Sequence, residues 1–244
     1  MKAVLTSSIG GCAKIDDFRL PEPLLRANGL LDRIAAIWRE NARVMLICSD
    51  PTDYSKNDDI CACYAKAFPM SGLSVSQICI CDARNPEAVD SLDKTDVLFL
   101  LGGHVPTQNR FLKKLRLRER LSGYGGIVLA LSAGSMNCAD EVYACPELEG
   151  EALDPNFERR ISGLGITGVN ILPHFQYFRN ESLDGLRVLE DIAFADSAER
   201  EIIALNDGSY IYIDGEKTTV YGEAYSIKNG RLTLICEDGK SLSL

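Results

Sequence analysis

Five short, nearly unbroken apolar runs do most to limit what this chain can fold into: KAVLTSS (2–8), ARVMLICS (42–49), QICICD (77–82), DVLFLLGG (96–103) and GIVLALSAG (126–134). A strand with one wet face alternates apolar and polar residues, whereas continuous apolarity fits a strand buried on both sides. Between these runs lie longer stretches with helical spacing, such as 22–40 around Leu24, Leu25, Leu30, Leu31, Ile34 and Trp38. Strands alternating with helices predict a mainly parallel, doubly wound α/β sheet covered on both faces. From about residue 199 the pattern changes to EIIALND, SYIYID, KTTVYG, AYSIKN and RLTLIC, separated by Asp-Gly and Asn-Gly pairs that favour tight hairpin turns. That portion is expected to be a C-terminal β-meander closing the sheet. No Pro-, Gly- or Ser-rich linker and no internal repeat interrupts the chain, so a single domain over 1–244 is the simplest organisation.

Charge and cysteine content narrow the function classes. A formal net charge of −9 works against phosphate-backbone binding, so nucleic acid is an unsuitable partner. No apolar stretch approaches the eighteen or so residues of a membrane span, and the first residues make a poor leader, which predicts a cytoplasmic protein with no membrane partner. Nine cysteines cannot all pair within one chain and are expected to be reduced thiols. The pairs Cys61/Cys63 and Cys79/Cys81 are spaced too closely for a usual zinc site, and only two His are present to help, so no metal is expected. Neither G-x-G-x-x-G after the first strand nor G-x₄-G-K-[ST] occurs, which argues against a nucleotide cofactor.

Three segments carry chemistry. In GIVLALSAGSMNCAD a buried strand runs into Leu131-Ser132-Ala133-Gly134 and then a helix. Small residues around a serine at such a junction suit a sharp elbow that lifts its hydroxyl to the carboxyl edge of the sheet. Ala130 stands where the usual G-x-S-x-G has its first Gly, and taken alone the segment also reads as a serine N-cap. DVLFLLGGH ends a strand in Gly102-Gly103, which lets backbone approach a ligand closely or simply makes a tight turn. ILPHFQYF places His174 after a short apolar run and the rigid Pro173. Serine needs a base to take its proton at neutral pH, and only His104 and His174 are available. His104 follows the glycine pair and is expected near the substrate, while Cys138 lies within the helix after the elbow and reads as core.

In this order, Gly102-Gly103, Ser132-Ala133-Gly134 and Pro173-His174-Phe175 resemble the motifs of the peptidase E family, which includes cyanophycinase. The resemblance runs from about the first strand through the C-terminal meander. It implies a glutamine-amidotransferase-like fold, a three-layer α/β/α sandwich, and a cofactor-free Ser-His-acid mechanism. Ser132 would attack a peptide carbonyl, His174 would relay the proton, and the amides of Gly103 and Ala133 would bind the oxyanion. The family's acid lies about fifteen residues after the serine, which points here to Glu147, with Asp140 and Glu141 in reach and Asp207 as the alternative.

Departures from the family bear on substrate. His104-Val105-Pro106-Thr107-Gln108 replaces the usual Asn after the glycine pair, making His104 and Gln108 candidates for the substrate pocket. Asp184 falls near the position where aspartyl dipeptidases of the family carry an Arg, with Arg179 and Arg187 on either side as further pocket candidates. Asp-Xaa dipeptides are accordingly expected to be poor substrates. The expected function is hydrolysis of short peptides or peptide-like amides, with homodimerisation left open. The competing reading is a catalytically silent relative that binds a small peptide or partner protein.

Overall fold

Each of the five apolar runs forms a strand of one eight-stranded sheet, at Lys2–Thr6, Ala42–Ile47, Val75–Cys81, Val97–Leu100 and Ile127–Leu131. The computed structural model describes residues 1–15 and 18–244. The five strands are mutually parallel, in the spatial order Lys2–Thr6, Ile127–Leu131, Val97–Leu100, Ala42–Ile47, Val75–Cys81. All four residues of Val97–Leu100 are fully buried, as continuous apolarity requires. Each such side chain contributes roughly 1.5–3 kcal/mol of transfer free energy. Helix Tyr54–Met70, capped by the Asp53 side chain on the Lys56 amide, packs Tyr64 edge-on against Phe99 with ring centroids 4.9 Å apart.

The register determines where function can sit. Thr6 pairs with Leu131, Leu100 with Ala130, and Ile47 with both Leu100 and Cys81, so the parallel strands end in step. The residues just beyond them, Ser7, Ser132, Gly102 and Ser49, therefore share one edge of the sheet. Ligands of open α/β sheets collect at such carboxyl edges.

The C-terminal strands form where the short runs place them, but they are divided between two sheets. Tyr210–Asp214 pairs antiparallel with Lys2–Thr6 and is followed outward by Lys217–Tyr221 and Ser241–Ser243. Ile202–Leu205, Ala224–Lys228 and Arg231–Cys236 belong instead to a four-stranded sheet begun by Asn170–Leu172. The turn after Leu205 thus crosses from one sheet to the other.

The helix expected over 22–40 is shorter. Phe18–Leu24 is a strand, paired antiparallel with Gly10–Ile15, and helix begins only at Leu30 and ends at Ile37. Pro21 and Pro23 account for this: each lacks an amide proton for a helical bond, and both are tolerated in a two-stranded ribbon. Asn28 and Gly29 then take left-handed conformations ahead of the helix.

Candidate active site

Strand Ile127–Leu131 delivers Ser132 to the sheet edge in a sharp turn. Its amide still donates to Thr6 O at 3.0 Å, continuing the strand pairing, and its own carbonyl accepts from Met136 N at 3.0 Å, opening the short helix Ala133–Met136. Between these bonds the residue is forced to φ 52° and ψ −116°, a conformation L-residues rarely adopt. Gly134 is required by the same turn, since a Cβ there would collide with the Leu100 carbonyl. The Ser135 hydroxyl fastens the helix to the neighbouring strand by donating to Thr6 O at 2.8 Å.

His174 and Asp207 arrive on the second sheet. Asn170–Leu172 and Ile202–Leu205 run parallel, with Leu172 opposite Ala204, and each of the two residues lies two positions past the end of its strand. Equal overhang from paired strands puts them side by side. His174 Nδ1 lies 2.8 Å from Asp207 Oδ1, and His174 Nε2 lies 2.8 Å from Ser132 Oγ. A proton on Nδ1 donates to the carboxylate and leaves Nε2 to accept from the serine. His174 is held at φ 134°, a second strained backbone at the same centre. Ser7, at the end of the first strand, donates to Asp207 Oδ1 at 2.7 Å, and the Asp207 amide donates to Gln176 Oε1 at 3.0 Å. Burial alone would raise the Asp207 carboxyl, but the hydrogen bonds from His174 and Ser7 outweigh it and hold it below its ordinary value. Asp207 is therefore the charged partner of the imidazole.

The carboxylate against His174 is thus Asp207 and not Glu147. Glu147 lies in a separate group, where its amide and that of Leu148 donate to Glu151 Oε2 at 2.9 and 3.0 Å. Burial, with the charge of Glu151 added, pushes its carboxyl up to about 8. Counting from the serine fails because the chain between them folds away into the hairpin Glu141–Tyr143 and Arg160–Ser162. Asp140 and Glu141 are taken by Arg200.

A cleft of about 310 Å³ opens onto Ser132 and His174, walled by Gly102 and Gly103 on one side and by Arg19, Lys56 and Tyr64 on the other. The glycine pair is there because a Cβ on Gly103 would overlap the Ser49 side chain, and one on Gly102 would press Ser132 Cβ at 3.1 Å. Gln108 is not in this cleft. It is buried beneath the glycine turn, donating to Leu101 O at 2.7 Å and accepting from Asn137 Nδ2 at 3.1 Å. His104 faces a neighbouring hollow, with Nδ1 2.8 Å from Thr107 Oγ1 and Nε2 2.8 Å from Glu151 Oε1. The Arg179 guanidinium lies over the Phe175 ring at 5.6 Å, and Arg187 pairs with Asp191 at 2.7 Å, so neither faces the cleft. Asp184 fastens the 150–152 turn, accepting from Gly150 N at 2.8 Å and Ala152 N at 3.0 Å. The cleft's two cations, Arg19 and Lys56, come from the Phe18–Leu24 strand and the first turn of helix Tyr54–Met70, and no motif marks either one in the sequence.

A serine held in a strained turn at the carboxyl edge of an α/β sheet, with imidazole at its hydroxyl, belongs with the serine-type peptidases. More particularly, the chain belongs to peptidase family S51, whose sequence model matches residues 26–221. The fold is similar to that of a crystal structure described as a candidate peptidase E protein from Listeria monocytogenes EGD-e. The two share 16% identity over 89% of this chain and 96% of that one, with a TM-score of 0.58. No curated protein sequence matches the chain. Among the described residues, no helix is long and apolar enough to cross a membrane.

Proposed function

We propose that this peptidase hydrolyses short peptides or peptide-like amides through a Ser132-His174-Asp207 mechanism. The observation that carries the reading is the unbroken line from Ser132 Oγ through both imidazole nitrogens to Asp207, with 2.8 Å at each end. His174 Nε2 takes the serine proton as Oγ attacks the scissile carbonyl, and then gives it to the leaving amine. Asp207 keeps the proton on Nδ1 and stabilises the imidazolium as it forms. The amides of Gly103 and Ala133 receive the charge that develops on the carbonyl oxygen. A second proton transfer through the same imidazole activates the water that releases the acyl group.

The cleft's limited volume favours short peptides over folded proteins. Arg19 and Lys56 provide it with positive charge, which supports substrates carrying a carboxylate near the scissile amide. The absence of Arg at position 184 therefore does not leave the cleft without a carboxylate partner. The test is intact-protein mass spectrometry after exposure to a small fluorophosphonate. One adduct is expected on the wild type and none on Ser132→Ala, followed by turnover of short peptides with acidic residues in preference to their neutral counterparts. No adduct on either protein would favour a silent peptide-binding relative.

A further inference from the structure

The ribbon Gly10–Ile15/Phe18–Leu24 and helix Tyr54–Met70, which together form one wall of the cleft, meet at two thiols. Cys63 Sγ lies 3.7 Å from the carbonyl oxygen of Gly11, the residue next to Cys12. Tyr64 holds the same junction closed: its hydroxyl donates to Gly10 O at 3.1 Å, and a Cβ on Gly11 would fall 2.8 Å from its ring. Cys63 is buried; burial first, and the Cys12 side chain next, push its thiol up to about 12. Cys12 is half-buried, lines the cleft, and has the Arg19 guanidinium 3.9 Å from its sulfur. A partly exposed thiol beside a cation, backed by a buried one, is the setting of an attacking and a resolving cysteine. Cys48, Cys61, Cys79 and Cys81 do not line the cleft.

We propose that Cys12 and Cys63 are an oxidisable dithiol, a reversible modification site whose disulfide remodels the cleft and suppresses turnover. The oxidant is a hydroperoxide. Cys12 thiolate attacks the peroxide oxygen, the O–O bond breaks, and hydroxide leaves to give a sulfenic acid. The Cys63 sulfur then attacks the Cys12 sulfur, the S–O bond breaks, and water departs with the Cys63 proton. Two thiols and one hydrogen peroxide thus become one disulfide and two waters, and a dithiol reductant reverses the change. A disulfide bond is about 2.05 Å long, well inside any contact between separate thiols. Bridge formation draws the ribbon onto the helix, turns the Cys12 sulfur away from Arg19, and shifts that cation relative to Ser132. The effect on turnover rests on the peptidase reading above.

The experiment treats the full chain with hydrogen peroxide and maps disulfides in a non-reducing digest, with turnover measured before treatment, after it, and after dithiothreitol. A Cys12–Cys63 link as the dominant product, with turnover down at least tenfold and restored by dithiothreitol, is expected. Cys63→Ala, whose side chain lies outside the cleft, is expected to keep its turnover within twofold under the same treatment. No link, a dominant link between other cysteines, or an equal loss in Cys63→Ala overturns the proposal. The digest needs no activity, so a chain that forms the link but turns over no peptide would count against the peptidase reading and not against the dithiol.

Discussion

Ser132, His174 and Asp207 each sit one or two positions past the end of a strand, and the two backbone outliers among them are what bring their side chains into line. Ser132→Ala removes only a hydroxyl, so the melting temperature is expected to stay within a few degrees while peptide hydrolysis is abolished. Thermal melts alongside an activity assay check both. The two acids separate cleanly. Asp207→Asn leaves the imidazole without a carboxylate to hold its tautomer, and kcat is expected to fall by about 10²–10⁴. Glu147→Gln alters a carboxyl that does not touch His174, and kcat is expected to stay within about threefold. The reverse pattern would return the acid's role to Glu147.

The short helix Ala133–Met136 and strand Val97–Leu100 approach so closely that glycine is the only residue Gly134 can be. Gly134→Ala must push the helix away from the Leu100 carbonyl and carries Ser132 with it. Such overpacking typically costs about 1–3 kcal/mol, and displacement of the reacting atoms by about 1 Å can cost as much as 100-fold in rate. Denaturant unfolding is expected to show the stability loss, and fluorophosphonate labelling is expected to slow by at least tenfold. A variant that unfolds like the wild type and labels at the same rate would show that the elbow tolerates this shift. The same scale explains the missed ribbon: Pro21 and Pro23 argue against helix over 22–40, but periodicity among Leu24, Leu25, Leu30 and Leu31 hides them.

For the whole molecule, the half-buried Glu147 couples stability to pH. Its carboxyl is raised to about 8 in the fold and falls near the ordinary 4.3 in the unfolded chain. Between those values the folded state holds a proton that the unfolded state has lost, so stability falls as pH rises through that window. Glu147→Gln removes the penalty: it is expected to melt at a higher temperature than the wild type at pH 9 and not at pH 4. Equal shifts at both pH values would mean that packing, not ionisation, is responsible. The sequence alone was sufficient for the parallel sheet, because unbroken apolar runs have few other ways to escape water. It also offered Ser132, His174 and the glycine pair as candidates, through small residues at a strand end, the rigid Pro173 before His174, and the order of three motifs that resembles peptidase E. The carboxylate beside His174, the cations of the cleft and the placing of Cys12 and Cys63 on its ribbon and helix were decided only by tertiary structure. Asp207 reaches His174 because two parallel strands end in step across a gap of some thirty residues. Arg19, Lys56, Cys12 and Cys63 meet where a ribbon lies on a helix, a contact set by long-range packing that leaves no spacing to read in the chain.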